Sequence, residues 1–276
     1  MKTLYITDLD GTFLNSNAVL SDKSKHMLIK AIDNGAFFTV ATARTFATVL
    51  QMFKDVNINL PLILMNGVMI YDPVKNEIIS SHSIKNESIK KVFSVYKKYE
   101  ILPLVYRQKK NYLEIEYYDT SNPNQMKYVK KRTEASGKRF VYSPVFTDEG
   151  KSEVIYIVTL DTYDKLFPLY NELKNISGIS CVFYRDNYTD CFFLEIFAES
   201  VSKASAMLEV KSITGADRVV VFGDNLNDIE MFKAADEAYA VENACSELKA
   251  FATDVIGDND NDSVAEYILN NCGENR

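Results

Sequence analysis

Four stretches of the chain are apolar almost without interruption: Leu4-Tyr5-Ile6, Ala36-Phe37-Phe38-Thr39-Val40-Ala41, Pro61-Leu62-Ile63-Leu64-Met65 and Val219-Val220-Val221-Phe222. None alternates strictly with polar residues, so each suits a parallel strand buried on both faces. Helical spacing falls between them. Met27, Leu28, Ala31 and Ile32 share one side of a helix, Ser21 stands where an N-cap belongs, and Asn34-Gly35 supplies a stop. A second helix is expected over residues 46–53. Asn66-Gly67 is a turn dipeptide, and residues 68–71 and 77–79 form a hairpin pattern around Asp72-Pro73. Strand alternating with helix predicts a doubly wound α/β sheet.

From about residue 83 the texture changes. A lysine-rich helix over 87–99 precedes short strands at 102–106 and 112–117, and Ser121-Asn122-Pro123 opens a helix to about residue 135. Then come a strand at 153–159, a helix at 163–174, and strands at 180–184 and 192–197. Neighbouring strands with paired helices read as an α+β module. Its tyrosines, such as Tyr112, Tyr117 and Tyr118, are expected to pack. After Glu199 the first rhythm returns, with a helix led by Val201-Ser202-Lys203 and a strand at 218–222. Gly223-Asp224-Asn225-Leu226-Asn227-Asp228 opens the next helix, and short strands are expected at 238–241 and 254–256. The predicted organisation is a doubly wound, mostly parallel α/β core, residues 1–82 and 198–276, with an α+β domain, residues 83–197, inserted into it. Residues 273–276 are expected to fray.

Composition narrows the function. The chain has 276 residues, 47% hydrophobic and 25% charged, as in ordinary globular proteins. A net charge of −7, from 38 acids against 31 bases, disfavours nucleic acid and anionic membrane as partners. A small anionic substrate then requires a local positive group or a metal. Cys181, Cys191, Cys245 and Cys272 lack zinc-site or redox-pair spacing, so reduced thiols in a cytoplasmic protein are expected. Asp8 and Asp10 interrupt any signal-peptide core, and no apolar run approaches membrane-spanning length. His26 and His82 are the only histidines and are expected at the surface. A monomer or weak homo-oligomer is expected.

The chemistry sits where apolar runs end. In open α/β sheets ligands gather at the carboxyl ends of strands. Asp8 and Asp10 follow the first run, Thr42 the second, Asn66 the third, and Asp224 and Asp228 the fourth, while Lys203 starts a helix that can reach the same edge. Strand alternation sends Asp8 and Asp10 to one side, with Leu9 opposite. Gly11 then turns the chain and leaves amide groups uncovered. Two acids so close repel unless a cation joins them or one stays protonated. Asp oxygens beside exposed amides suit Mg²⁺ together with a phosphate group. Asp-Gly is also plain turn chemistry, Asp224 and Asp228 could simply cap a helix, and Lys203 could be a solvated lysine. The coincidence at four strand ends favours a site.

Asp8-Leu9-Asp10-Gly11-Thr12 resembles the first motif of the haloacid-dehalogenase (HAD) superfamily of phosphotransferases. Thr42, Lys203 and Gly223-Asp224-x-x-Asn227-Asp228 resemble its second, third and fourth motifs in order. The insertion stands where the type IIB cap lies in the Cof-like branch, so the resemblance covers the whole chain. It implies a Rossmann-like core and a phosphoric monoester hydrolase using Mg²⁺. Asp8 would be the nucleophile that forms an aspartyl-phosphate, and Asp10 the acid/base. The metal would be held by Asp8, the Asp10 carbonyl and Asp224, with Asp228 holding a metal-bound water. Gly11, Thr42, Ala43, Lys203 and Asn227 would contact phosphate, Asn227 by positioning Lys203 or an oxygen; Arg44 and Asn66 are further contacts. The branch usually has glycine where Ala43 stands and often where Ala204 stands, so a narrower backbone approach is expected there. A small phosphorylated metabolite, a sugar phosphate in the first place, is the expected substrate. The loop Tyr184-Arg185-Asp186-Asn187 is a candidate for reading its leaving group. A phosphomutase or phosphotransferase of the same superfamily, a receiver-type signalling domain carrying phospho-Asp, and a noncatalytic binding protein are the competing readings. Gly11-Thr12 and the long insertion speak against a receiver, and the intact acid set against a spent scaffold. No P-loop and no G-x-G-x-x-G supports a nucleotide-binding kinase or dehydrogenase.

Overall fold

The computed structural model describes residues 1–110, 112–133, 138–147, 153–186 and 189–272. In chain order it begins with β1 (Thr3–Thr7), α1 (Asp22–Asp33), β2 (Phe37–Val40), α2 (Phe46–Met52), β3 (Leu62–Leu64), β4 (Met69–Asp72) and β5 (Glu77–Ser81). There follow α3 (Asn86–Lys98), β6 (Leu104–Gln108), β7 (Leu113–Tyr117), α4 (Pro123–Thr133), β8 (Lys138–Tyr142), β9 (Val154–Asp161), α5 (Tyr163–Leu173), β10 (Ile179–Arg185) and β11 (Phe192–Ala198). The chain closes with α6 (Lys203–Thr214), β12 (Arg218–Gly223), α7 (Ile229–Ala234), β13 (Glu237–Val241), α8 (Ser246–Lys249), β14 (Asp254–Ile256) and α9 (Ser263–Asn271). Two compact units result: Met1–Ser80 with Ser202–Arg276, and Ser81–Val201.

The first unit is built on a parallel sheet of order β14-β13-β12-β1-β2. All five residues of β1 are buried, because its neighbours β12 and β2 pair along both edges. That explains a strand with no polar alternation. Ile6 lies opposite Val221 on one side and Thr39 on the other, so the three strands end level. This register delivers the residues after β1, β2 and β12 to one edge. The sequence reading made the third apolar run another strand of this sheet. The structure corrects it: β3 touches the parallel sheet through a single bridge, Ala41 to Ile63, and otherwise heads an antiparallel sheet of order β3-β4-β5. The backbone turns at once through Met65–Gly67, and β3 pairs antiparallel with β4, Leu62 opposite Tyr71 and Leu64 opposite Met69. Asn34 and Gly35 (φ 94°) end α1 and Ser21 caps its start, as the sequence suggested.

The second unit is a six-stranded sheet, β10-β11-β9-β6-β7-β8, with α3 and α5 packed on one face through Val92, Phe93, Leu166 and Leu169 against Val105, Ile157 and Ile196. Strand β8 was absent from the sequence reading. It is an edge strand paired in parallel to β7, and its Lys-Arg-Phe-Val-Tyr composition carries no run of core residues. The expected helix end near residue 135 and the terminal residues 273–276 lie outside the described residues, as does Asn187. The four cysteines are free, and His26 and His82 are exposed. No helix among the described residues is long and apolar enough to cross a membrane.

Ile6 is fully buried in β1, between β12 and β2. Ile6→Ala should therefore cost about 2–5 kcal/mol of stability, read from denaturant unfolding of the two proteins under one condition.

Candidate active site

The level strand ends and the start of α6 bring Asp8, Gly11, Lys203, Asp224 and Asp228 together within the first unit. The Asp8 amide still donates to the Phe222 carbonyl at 3.0 Å, so Asp8 stands one step past β1 against the end of β12. The α6 helix starts at Lys203, after Ser202 closes a capping box with Ser205. The Lys203 side chain is 1% exposed, which rules out a solvated lysine. Its ammonium donates to Asp8 Oδ1 at 2.6 Å and to Asp228 Oδ1 at 2.8 Å. Asp228 is fully buried, and its Oδ2 accepts from the Asp224 and Asn225 amides, both at 3.2 Å. It therefore caps the turn after β12 as well as holding the lysine. Asp224 Oδ1 accepts from the Thr12 hydroxyl at 2.8 Å. Gly11 has φ 81°, and a Cβ there would sit 2.5 Å from Asp224 Oδ2, so only glycine lets the first loop pass this carboxylate.

One oxygen each from Asp8, Asp224 and Asp228 lie within 4.8 Å of one another. Opposed oxygens on a Mg²⁺ ion lie roughly 4.2 Å apart, so one small hard ion can gather this set after slight side-chain movement. The donors are all carboxylate oxygen, without thiolate or imidazole, which suits Mg²⁺ chemistry. Charge gives the same answer. Burial pushes the Asp8 carboxyl well above its usual range; Lys203 opposes this, and Asp228 and Asp224 add to it. Asp224 is pushed up to about 7 by burial and by the charge of Asp228. Burial would discharge Lys203, but Asp228 and Asp8 hold the ammonium above the ordinary lysine range. Three carboxylates against one ammonium leave negative charge that a divalent cation would balance.

The remaining residues fall around this cluster. Asp10 does not join it: its carboxylate is held by Arg44, whose Nε and Nη2 reach Asp10 Oδ2 at 2.7 Å and Oδ1 at 2.5 Å. Thr42 is buried, with its Oγ1 accepting from the Arg44 amide at 3.2 Å. Neither Ala43 nor Ala204 takes a positive φ, so neither alanine strains the backbone. Asn227 does not reach Lys203; its amide donates to Asn66 Oδ1 at 3.3 Å. Among the residues the sequence reading named, Arg44 proves to be the partner of Asp10. Unnamed in that reading were Thr12, beyond its place in the motif, and Asn243, whose amide donates to the Gly11 carbonyl at 2.7 Å. Asn243 follows β13 and braces the first loop, and no local pattern announces such a contact. In the second unit, Tyr184 donates to Glu195 at 3.0 Å and Arg185 pairs with Asp190 at 2.7 Å.

Residues 5–268 match the family model of the haloacid dehalogenase-like hydrolases, and the chain belongs to that family. It is 29% identical over 286 residues, 97% of each chain, to the 5-amino-6-(5-phospho-D-ribitylamino)uracil phosphatase YwtE of Bacillus subtilis. Its fold matches a haloacid dehalogenase-like hydrolase from Bacteroides thetaiotaomicron with a TM-score of 0.80 at 24% identity, covering 98% of this chain and 99% of that one. It also matches the HAD subclass IIB sugar phosphatase BT4131, with a TM-score of 0.74 at 22% identity and 98% of each chain covered.

The raised Asp224 carboxyl has a measurable consequence. With a folded value of about 7 against an ordinary 3.8, the metal-free folded protein keeps a proton that the unfolded chain releases. Stability should then fall as pH rises from about 4 to about 7. Thermal melts in chelator across that range should show the decline, Asp224→Asn should lessen it, and added Mg²⁺ should raise the melting temperature most at the alkaline end.

Proposed function

We propose that the protein is a Mg²⁺-dependent phosphatase of small phosphorylated metabolites, sugar phosphates in particular, acting through an aspartyl-phosphate on Asp8. The observation that carries this reading is the pairing of Asp8 with a fully buried ammonium inside an all-oxygen acid cluster. A buried carboxylate of this kind has one oxygen held and the other available for attack. YwtE and BT4131 are named for phosphorylated small molecules, one a ribitylamino-uracil and the other a sugar, which supports the same class of substrate.

In this reading Lys203 fixes one oxygen of Asp8, and the other attacks phosphorus in line with the leaving oxygen. The Asp8–phosphorus bond forms as the phosphorus–oxygen ester bond breaks. Asp10 gives a proton to the departing alkoxide and later takes one from the water that hydrolyses the acyl phosphate. Arg44 engages both Asp10 oxygens, so that transfer requires their pairing to loosen. Lys203, the Thr42 hydroxyl and the amides near Gly11 counter the equatorial oxygens, whose charge grows during transfer. Asp8, Asp224 and the Asp10 carbonyl would hold Mg²⁺, while Asp228, with both oxygens already engaged, suits a role behind the ligands. Bound there, the ion would neutralise phosphate charge and let Asp8 and Asp224 ionise at neutral pH. Leaving-group selectivity is assigned to the inserted unit.

Hydrolysis of an aryl phosphate should require Mg²⁺ and be lost in excess EDTA. Asp8→Asn, nearly isosteric, should reduce turnover to background while the circular dichroism spectrum stays native. Substantial turnover by this variant would remove Asp8 from the nucleophile's role.

The inserted segment offers a separate test. Exchanging residues 81–201 for the matching segment of a relative should reorder catalytic efficiencies among hexose, pentose and nucleoside monophosphates. An unchanged order would place selectivity in the first unit.

A further inference from the structure

The turn that follows β3 is the most distorted backbone near the acid cluster. Met65, Asn66 and Gly67 take φ values of 52°, 58° and 94° in succession. Left-handed backbone is unfavourable for residues with a Cβ and persists in a buried place only when the surroundings impose it. Asparagine is among the side chains that tolerate it best. Here the surroundings are the parts of the candidate site. The Met65 amide donates to the Arg44 carbonyl at 3.1 Å and the Asn66 amide to the Thr42 carbonyl at 3.0 Å. Gly67 lies so close to the start of α6 that a Cβ would stand 2.2 Å from the Ser202 carbonyl oxygen and 3.1 Å from the Lys203 nitrogen. The Asn66 side chain, 4% exposed, accepts from Asn227, which adjoins Asp228.

The turn therefore meets Lys203 at both ends. Through Gly67 it abuts the backbone from which the lysine springs. Through Asn66 and Asn227 it braces the segment whose Asp228 grips the ammonium. We propose that Asn66 is a positioning residue for phosphoryl transfer: its amide, presented by the left-handed turn, fixes the Asn227–Asp228 segment and with it the Lys203 ammonium beside Asp8. The inference rests on the phosphatase reading above. Asn66 needs no contact with substrate. A displacement of about 1 Å in a charge-stabilising group can cost on the order of 100-fold in rate.

Asn66→Gly isolates the side chain, because glycine keeps the left-handed backbone without strain. With Mg²⁺ and an aryl phosphate, kcat should fall about 10- to 100-fold, with an unchanged melting temperature. Asn227→Ala, which leaves the turn itself intact, should reproduce the loss, and the double variant should lose no more than either single one. In a Lys203→Ala background, Asn66→Gly should have no further effect, which a general loss of packing would not mimic. Should Asn66→Gly or the Lys203→Ala background fail to fold, Asn227→Ala decides the matter alone, with wild-type kcat in that variant overturning the inference. Wild-type kcat in Asn66→Gly, or an equal fold-loss with and without Lys203, overturns the inference. A wild-type protein that hydrolyses no phosphomonoester overturns the reading beneath it and this inference together, and the unmutated chain alone reveals that case.

Discussion

A single ammonium, shut away from water among carboxylates, is the constraint on which the site depends. Lys203 and Asp228 are each 2% exposed or less, and neither charge could remain there without the other. The lysine has to enter from a helix that begins at the sheet edge, which fixes where α6 starts and what precedes it. Asp228 has to point back under the turn after β12, where it also satisfies two amides. Asp8 then completes the pairing from the end of β1. Remove the lysine and Asp228 is left with uncompensated charge in a dry place, so fold and chemistry share the same contacts.

The sheet makes this arrangement cheap in geometric terms. Parallel strands in register end together, and β2, β1 and β12 do so, with Thr7 aligned to Val40 on one side and to Phe222 on the other. Side chains that follow those ends need no long reach. Loops then supply direction: Gly11 passes beneath Asp224, Gly67 passes against Ser202, and no other residue type fits at either crossing. Positions of closest approach are thus also positions of least chemical variety.

Much of this was legible in the sequence because each relevant signal is local. Apolar runs without alternation marked buried parallel strands, and acids straight after them marked the edge. Asp8, Asp224 and Asp228 could be grouped on that basis alone. What the sequence hid was pairing between side chains from different loops. Nothing in Thr42-Ala43-Arg44 says that the guanidinium faces Asp10 rather than phosphate, and nothing in Asn227 says that it faces Asn66 rather than Lys203. Such choices depend on angles set by the whole sheet. Strand β8 was hidden because an edge strand with little burial has no hydrophobic signature to read.

The order of the chain has a bearing on how the molecule is made. Strand β1 lies inside its sheet, between β2 and β12, yet its partner β12 comes from beyond the inserted unit, with Thr3 aligned to Arg218. During synthesis the first strands emerge with one long edge unpaired, while Ser81–Val201 appears next with all six strands of its own sheet in continuous sequence. The inserted unit can therefore fold on emergence, whereas the catalytic sheet must wait for its missing half. Throughout that interval β1 and β2 are bare apolar strands, the kind of surface that chaperones hold and that aggregates recruit. The acid cluster is thus assembled last, by the same late pairing that closes the sheet.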